Sequence, residues 1–342
     1  MTYDFSLPTS LLLFALAALL ILVFGVTMTR LAAALAERTG LGEAVMGALF
    51  LGACTSLPEI ATSTTAAAAG HADLAMSNAI GSVAGQTAFL ALADMAYRRA
   101  NLEHAAASAE NLMLAAFVLV MLSLPLMGLA LPHLSVGGIH PVSVLMFLAY
   151  VQGLRMVAQA HNKPMWLPRR TAETRTAGGE SSPRGAPLWQ LWLRFGLSAA
   201  ATAVGGWLLA ITAVPVARHT GLSETVVGGL LTGLTGSLPE LVTALAAVRM
   251  GALTLAVGDI LGGNAFDALI VAFSDWAYLD GSIFTAASPE QGFLLALAAV
   301  LTAILLMGLV SREKHGIANI GLESFLVLTF YIAAFALLLA RG

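Results

Sequence analysis

The 342-residue chain has little charge and almost no cysteine. Asp, Glu, Lys and Arg make up only 10% of it, against about 25% in soluble domains. Hydrophobic residues reach 58%, the mean hydropathy is +0.87, and long apolar runs fill most of the sequence. That excludes two soluble domains and identifies an all-α, polytopic membrane protein. The single cysteine, Cys54, excludes an internal disulfide, and the sequence has no Cys/His zinc spacing. A net charge of −3 argues against a nucleic-acid partner. The first apolar run, 11–28, is preceded by no Lys or Arg and is too long for a cleavable signal core, so it reads as a first span.

A spanning helix needs about 20 mainly apolar residues. Cutting at polar and Gly/Pro punctuation gives ten spans: 9–29, 43–69, 74–97, 109–131, 139–160, 188–216, 224–249, 255–278, 289–310 and 317–340. The polar stretch 161–187 carries Lys163, Arg169, Arg170, Arg175 and Arg184 among four prolines. It reads as a cytoplasmic linker between a first five-helix unit, 1–160, and a second, 188–342. With the N-terminus outside, 14 Lys and Arg fall at the cytoplasmic side and only Arg218 and Arg341 fall outside. The positive-inside rule therefore places both termini outside an inner (cell) membrane.

Segments 39–97 and 220–278 align without a gap at an offset of 181 residues, with about 23 of 59 positions identical. The shared positions include Glu43/Glu224, Gly52/Gly233, Ser56/Ser237, Pro58/Pro239, Glu59/Glu240, Gly81/Gly262, Asp94/Asp275 and Tyr97/Tyr278. Five spans separate the copies. Five is odd, so the copies cross the bilayer in opposite directions, the inverted-repeat pattern of secondary transporters.

Glu59, Glu240, Asp267 and Gln86 fall near the centres of spans 2, 7, 8 and 3. A carboxylate at that depth costs roughly 2.5–3.5 kcal/mol on insertion scales, and no Lys or Arg sits there to neutralise it. Bound cations or protons must do so. Pro58 and Pro239 each free a carbonyl one turn back. Together with Gly52, Gly233, Gly236, Gly81, Gly85, Gly262 and Gly263 they predict that spans 2, 3, 7 and 8 are discontinuous. The result is an all-oxygen site suited to a hard cation such as Ca²⁺. Asn78 and Asp259, two turns before Gln86 and Asp267, either line the ion path or cap broken half-helices, with capping the favoured reading; Asp94 and Asp275 read as interfacial groups, and Glu43 and Glu224 as helix-opening charges. A lone intramembrane Glu can be a protonated packing residue. A repeated Glu pair with Asp267 fits that reading poorly.

These motifs resemble the two α-repeats of the cation/Ca²⁺ exchanger superfamily, particularly its prokaryotic sodium/calcium antiporters. The resemblance rests on TSLPE at 55–59, GSLPE at 236–240 and GGNAFD at 262–267, and covers essentially the whole chain. It implies that Glu59 and Glu240 coordinate transported Ca²⁺, with Asp267 completing the site and Gln86 standing where Asn or Asp is usual. It further implies that Thr55, Ser56 and Ser237 lend oxygens to Na⁺ and Ca²⁺, that Ser82 belongs to an outer Na⁺ site, and that spans 1 and 6 slide against the rest. Three departures stand out. Gly236 replaces a usual Thr, Gly263 replaces a usual Ser, and the first repeat reads GSVAGQ. The glutamates are intact while Na⁺ ligands are thinned. The expected function is Ca²⁺/Na⁺ antiport, with Ca²⁺/H⁺ antiport or another divalent cation as the alternative, and a cation channel far behind. An intramembrane aspartyl protease would need a second aspartate where Gln86 stands. No enzyme activity and no resident cofactor are expected. The expected partners are Ca²⁺, Na⁺ or H⁺ as substrates and the lipid bilayer, with a monomer as the working expectation.

Overall fold

The structure is a computed structural model that describes residues 5–39, 55–97, 100–162, 187–251, 253–314 and 321–341. Segment 40–54, with Glu43, Gly52 and Cys54, lies outside the described residues, as do 163–186 of the expected linker.

The described chain is helical: α1 (Leu7–Thr39), α2 (Leu57–Ala68), α3 (Ala72–Ala96), α4 (Leu102–Ala106), α5 (Ala109–Ala130), α6 (Pro141–Asn162), α7 (Leu188–Thr220), α8 (Glu224–Gly236), α9 (Leu238–Met250), α10 (Leu253–Ala277), α11 (Ile283–Ala286), α12 (Pro289–Ser311) and α13 (Leu322–Arg341). Among the described residues eight helices are long and apolar enough to cross a membrane, and nine if α8 and α9 form one bent span. The ten-span count depends on 40–54 joining α2.

Burial sorts the helices by sequence. α1 and α7, each 33 residues long, lie against each other. At 1.5 Å per residue each is about 50 Å long, more than the ~30 Å hydrocarbon thickness. They meet through Ala17, Ile21 and Leu209, with Gly205 set against Ile21. Leu12, Leu16, Leu19, Val23 and Trp189 stay exposed as a lipid-facing surface. α3 and α10 are the opposite case. Both are buried along nearly their whole length, because small and polar residues on every face allow helices to close in all round.

The spans expected to be broken divide into two kinds. Span 7 is interrupted: α8 and α9 meet at 47°. Ser237 (φ −87°, ψ 11°) sits at the joint, followed by Leu238 and Pro239. Ser56 has nearly the same conformation (φ −78°, ψ 7°) before Leu57 and Pro58. Proline at the first turn of a helix leaves no interior N–H unpaired, so each Ser-Leu-Pro starts a helix; the part of span 2 before Thr55 lies outside the described residues. Within α8, residues Val227–Thr232 adopt a π-helix, a widening that goes with functional sites. Spans 3 and 8 correct the expectation. α3 and α10 are unbroken 25-residue α-helices. Their glycines serve close approach instead: a Cβ on Gly81 would lie 2.3 Å from the Cα of Gly229, which closes α3 onto α8.

Asp94 and Asp275, near the ends of α3 and α10, are fully buried and clamp corners of the fold. Asp94 accepts the N–H of Leu102 (2.7 Å) and of Gly321 (2.9 Å). Asp275 accepts the N–H of Ile283 (2.9 Å) and of His140 (2.8 Å). Leu102 pairs with Ile283, and His140 with Gly321, at the same 181-residue offset as the repeat. The duplicated sequence thus builds duplicated corners.

Candidate ion-binding centre

Four elements bring their polar residues together: the start of α2, the middle of α3, the α8–α9 joint with the first turn of α9, and the middle of α10. Thr55, Ser56, Glu59, Ser82, Gln86, Ser237, Glu240 and Asp267 are all buried, none more than 2% exposed.

Gln86 joins the halves. Its Nε2 donates to Asp267 Oδ2 at 2.7 Å and to Ser237 Oγ at 3.1 Å. Ser237 in turn reaches Glu59 Oε1 at 2.9 Å and the Gly233 carbonyl at 3.0 Å. An ionised carboxylate only accepts, so the amide turns its nitrogen to Asp267. Four sequence-expected residues therefore form one chain, Glu59–Ser237–Gln86–Asp267. Ser82 is tied to the backbone, donating to Asn78 (2.9 Å) and approaching the Gly233 carbonyl at 3.4 Å. Asn78 is no helix cap. It lies inside α3, and its Nδ2 donates to Ser63 Oγ (2.9 Å) and the Glu59 carbonyl (3.3 Å). Its counterpart Asp259 is half-buried, and the Glu240 carbonyl receives instead the Thr243 hydroxyl of its own helix at 3.0 Å.

Oxygens remain over. Glu59 Oε2, both carboxylate oxygens of Glu240, Asp267 Oδ1, Gln86 Oε1, Asn78 Oδ1 and Asn264 Oδ1 are buried without a hydrogen-bond partner. Each unpaired buried polar group costs about 1–3 kcal/mol, more when charged. Glu240 also feels the negative charge of Glu59 and Asp267. Among the described residues no three Asp, Glu, His or Cys side chains converge as a ready-made metal cage. Hydroxyls and an amide separate the acids instead.

The two glycine departures have a steric reason. A Cβ on Gly236 would lie 2.8 Å from Glu59 Oε1, and one on Gly263 would lie 3.2 Å from Gln86 Oε1. The longer Gln86 uses the room a side chain at 263 would need.

Sequence reasoning missed the tyrosines. Tyr150 and Tyr331 are buried with unpartnered hydroxyls. The Tyr331 hydroxyl lies 3.8 Å from the Cβ position of Gly85, and Tyr150 is within electrostatic range of Asp267. Their signal was present: they too are 181 residues apart. Asn264, which donates to Thr87 at 3.0 Å, was also passed over.

A buried polar centre walled by apolar helices defines a polytopic membrane transporter. A family model described as "Sodium/calcium exchanger protein" matches residues 9–157 and 190–340, and the chain belongs to that family, one of ion exchangers and not of enzymes. The "Putative antiporter CaxA" of Alkalimonas amylolytica is 30% identical over 294 residues, which cover 81% of this chain and 83% of the relative. The fold matches the sodium-calcium exchanger NCX_Mj at 20% identity, covering 97% and 99% of the two chains with a TM-score of 0.59. It also matches the H⁺/Ca²⁺ exchanger CAX at 14% identity, covering 97% and 85% with a TM-score of 0.64.

Proposed function

We propose that the chain exchanges Ca²⁺ for Na⁺ by alternating access, with Glu59, Glu240 and Asp267 as charged ligands and Gln86, Thr55, Ser56, Ser82 and Ser237 as neutral ones. The observation that carries this reading is the set of unpartnered carboxylate oxygens on Glu59, Glu240 and Asp267 inside a membrane-embedded bundle. A buried negative cluster is tolerable only with cations or protons among its members. An empty one resists occlusion, so the transporter crosses loaded in both directions, which is exchange. Ca²⁺ takes six to eight oxygens, and carboxylates interspersed with hydroxyls, amides and freed carbonyls can supply them.

One observation favours H⁺ as the counter-ion. Gln86 supplies Asp267 with a neutral donor where a monovalent cation would otherwise stand, and positions 236 and 263 carry no hydroxyl. Uptake of radiolabelled Ca²⁺ into proteoliposomes under an outward Na⁺ gradient, or an outward H⁺ gradient, decides between the two. The expected result is Na⁺-driven uptake that Glu59→Gln/Glu240→Gln reduces to the level of empty liposomes. Wild-type uptake by the double mutant overturns the site, and uptake driven only by the pH gradient overturns Na⁺ coupling.

The same reading has ten spans in two inverted five-helix units joined by the 161–187 linker, both termini outside the inner membrane, and a monomer sufficient for transport. The duplicated corners at Asp94 and Asp275 and the Lys/Arg split support it.

A further inference from the structure

The two duplicated corners differ in what fills them. In the corner clamped by Asp275, Phe284 and Val142 fill the interior, 2% and 5% exposed. Phe284 lies over Gly128 and beside the His140 ring, at a centroid distance of 5.0 Å. In the corner clamped by Asp94, the positions related by 181 residues are Glu103 and Glu323. Ser324, the counterpart of Ser143, donates to Glu103 Oε1 at 3.0 Å. Glu103 is 3% exposed, and its Oε2 has no partner. A Cβ on Gly321 would lie 3.3 Å from both Glu103 Oε2 and Glu323 Oε2, so the two oxygens converge on one backbone position. Both side chains pack over Gly308, as Phe284 packs over Gly128. The fold does not need acids here, since the other corner is built with a phenyl ring and a valine.

The groups around Glu103 do not neutralise it. Asp94 from α3 and Glu323 from α13 act on it with negative charge. Asp94 is committed to two backbone N–H groups, and Ser311 donates to Glu323 Oε1 at 3.0 Å. His104, next on α4, has Nδ1 2.6 Å from the Arg312 carbonyl, and the Arg312 guanidinium donates to the His104 carbonyl at 3.1 Å. Glu313 and Lys314, following α12, receive Asn101 through their carbonyls.

We infer that Glu103, facing Glu323 across Gly321, is a proton-binding carboxyl apart from the ion-binding centre, whose proton latches α4 to the α12–α13 corner and whose loss loosens it. A protonated Glu103 can donate across to the Glu323 carboxyl and adds no charge of its own beside Asp94. An ionised Glu103 sets two acids against each other beside a third. Burial, with the Asp94 charge adding to it, pushes the Glu103 carboxyl up to about 8, within reach of ordinary alkaline shifts.

The folded chain then holds a proton that the unfolded chain releases near pH 4.5. The stability from that proton is fully present below pH 4.5 and is lost as pH rises to about 8, beyond which the loss is complete. The test is thermal unfolding of detergent-solubilised full-length protein from pH 5 to pH 9.5, comparing wild type with Glu103→Gln. The expected result is a wild-type Tm that falls relative to the variant until about pH 8 and then runs parallel. Parallel curves throughout overturn the proposal. Should Glu103→Gln fail to fold, Glu103→Phe installs the residue of the sister corner and serves the same comparison. Infrared difference spectra provide a second readout: a protonated-carboxyl carbonyl band that disappears near pH 8 in wild type and is missing from either variant is expected. Its persistence in the variants overturns the assignment.

Discussion

Gln86 is where this chain departs most from the pattern it resembles, and its geometry explains a second departure. The amide carbon lies one methylene farther out than in Asn. That extra reach lets Nε2 meet Asp267 Oδ2 at 2.7 Å, and it sets Oε1 3.2 Å from where a Cβ on Gly263 would be. The two positions are therefore coupled. Gly263→Ser alone forces Gln86 to move and is expected to lower Ca²⁺ transport severalfold. Gln86→Asn alone lengthens the bond to Asp267. The double variant restores both room and a hydroxyl, and its transport should exceed that of either single variant and become more steeply Na⁺-dependent. Initial rates of Ca²⁺ uptake against Na⁺ concentration check this. Equal, additive losses from the two substitutions would show the positions to be independent.

At the scale of helices, glycine decides how closely α3 approaches α8. Gly81 meets the backbone of Gly229, which cannot rotate aside as a side chain can, so Gly81→Ala must part the helices. Overpacking of this kind costs about 1–3 kcal/mol. By contrast, Gly196 in α7 has nothing within 4 Å of its Cβ position, and Gly196→Ala should gain up to about 1 kcal/mol in helix propensity. Opposite shifts in Tm are expected for the two variants. The contrast also marks what the sequence could carry. Glu59, Glu240 and Asp267 stand out as candidates in the sequence because a carboxylate in an apolar run has few bland explanations, and the structure buries all three with unpartnered oxygens. Ser56-Leu57-Pro58 and Ser237-Leu238-Pro239 were legible because proline reports its own missing N–H. Gly81 and Gly262 were misread as breaks, since a glycine that opens a helix and a glycine that admits a neighbour look the same in one dimension. Tyr150 and Tyr331 were overlooked because a tyrosine in an apolar span is ordinary until its hydroxyl is seen to be buried. The Asp94 and Asp275 clamps needed the fold, because their partners at Gly321 and His140 are 227 and 135 residues away.

The whole molecule is organised by direction, and its hydrogen bonds sort the connections into two ends. His71 Nδ1 meets Glu224 Oε1 at 2.7 Å, Asp73 receives Ser288, and His219 meets the Phe5 carbonyl, so 5, 71–73, 219–224 and 288 gather at one end. Asn111 donates to the Thr254 carbonyl, and Asn101 to that of Glu313, so 101–111, 254 and 313 gather at the other. The connection after α2 therefore lies with the first group, and the connection after α9, its counterpart in the repeat, with the second. Chain direction through the bilayer turns this into a labelling experiment. Replacing the one native cysteine, Cys54, by Ala gives a background in which Ala69→Cys and Arg249→Cys each present one exposed thiol. In intact cells a membrane-impermeant maleimide should modify the cysteine at 69 and leave that at 249 untouched. In inverted vesicles the preference should reverse. Because residues 69 and 249 end corresponding helices, labelling of both from the same side would mean that the two halves run parallel. Glu59 and Glu240 would then approach the centre from one direction, and the exchange mechanism would lose the two-fold geometry on which it depends.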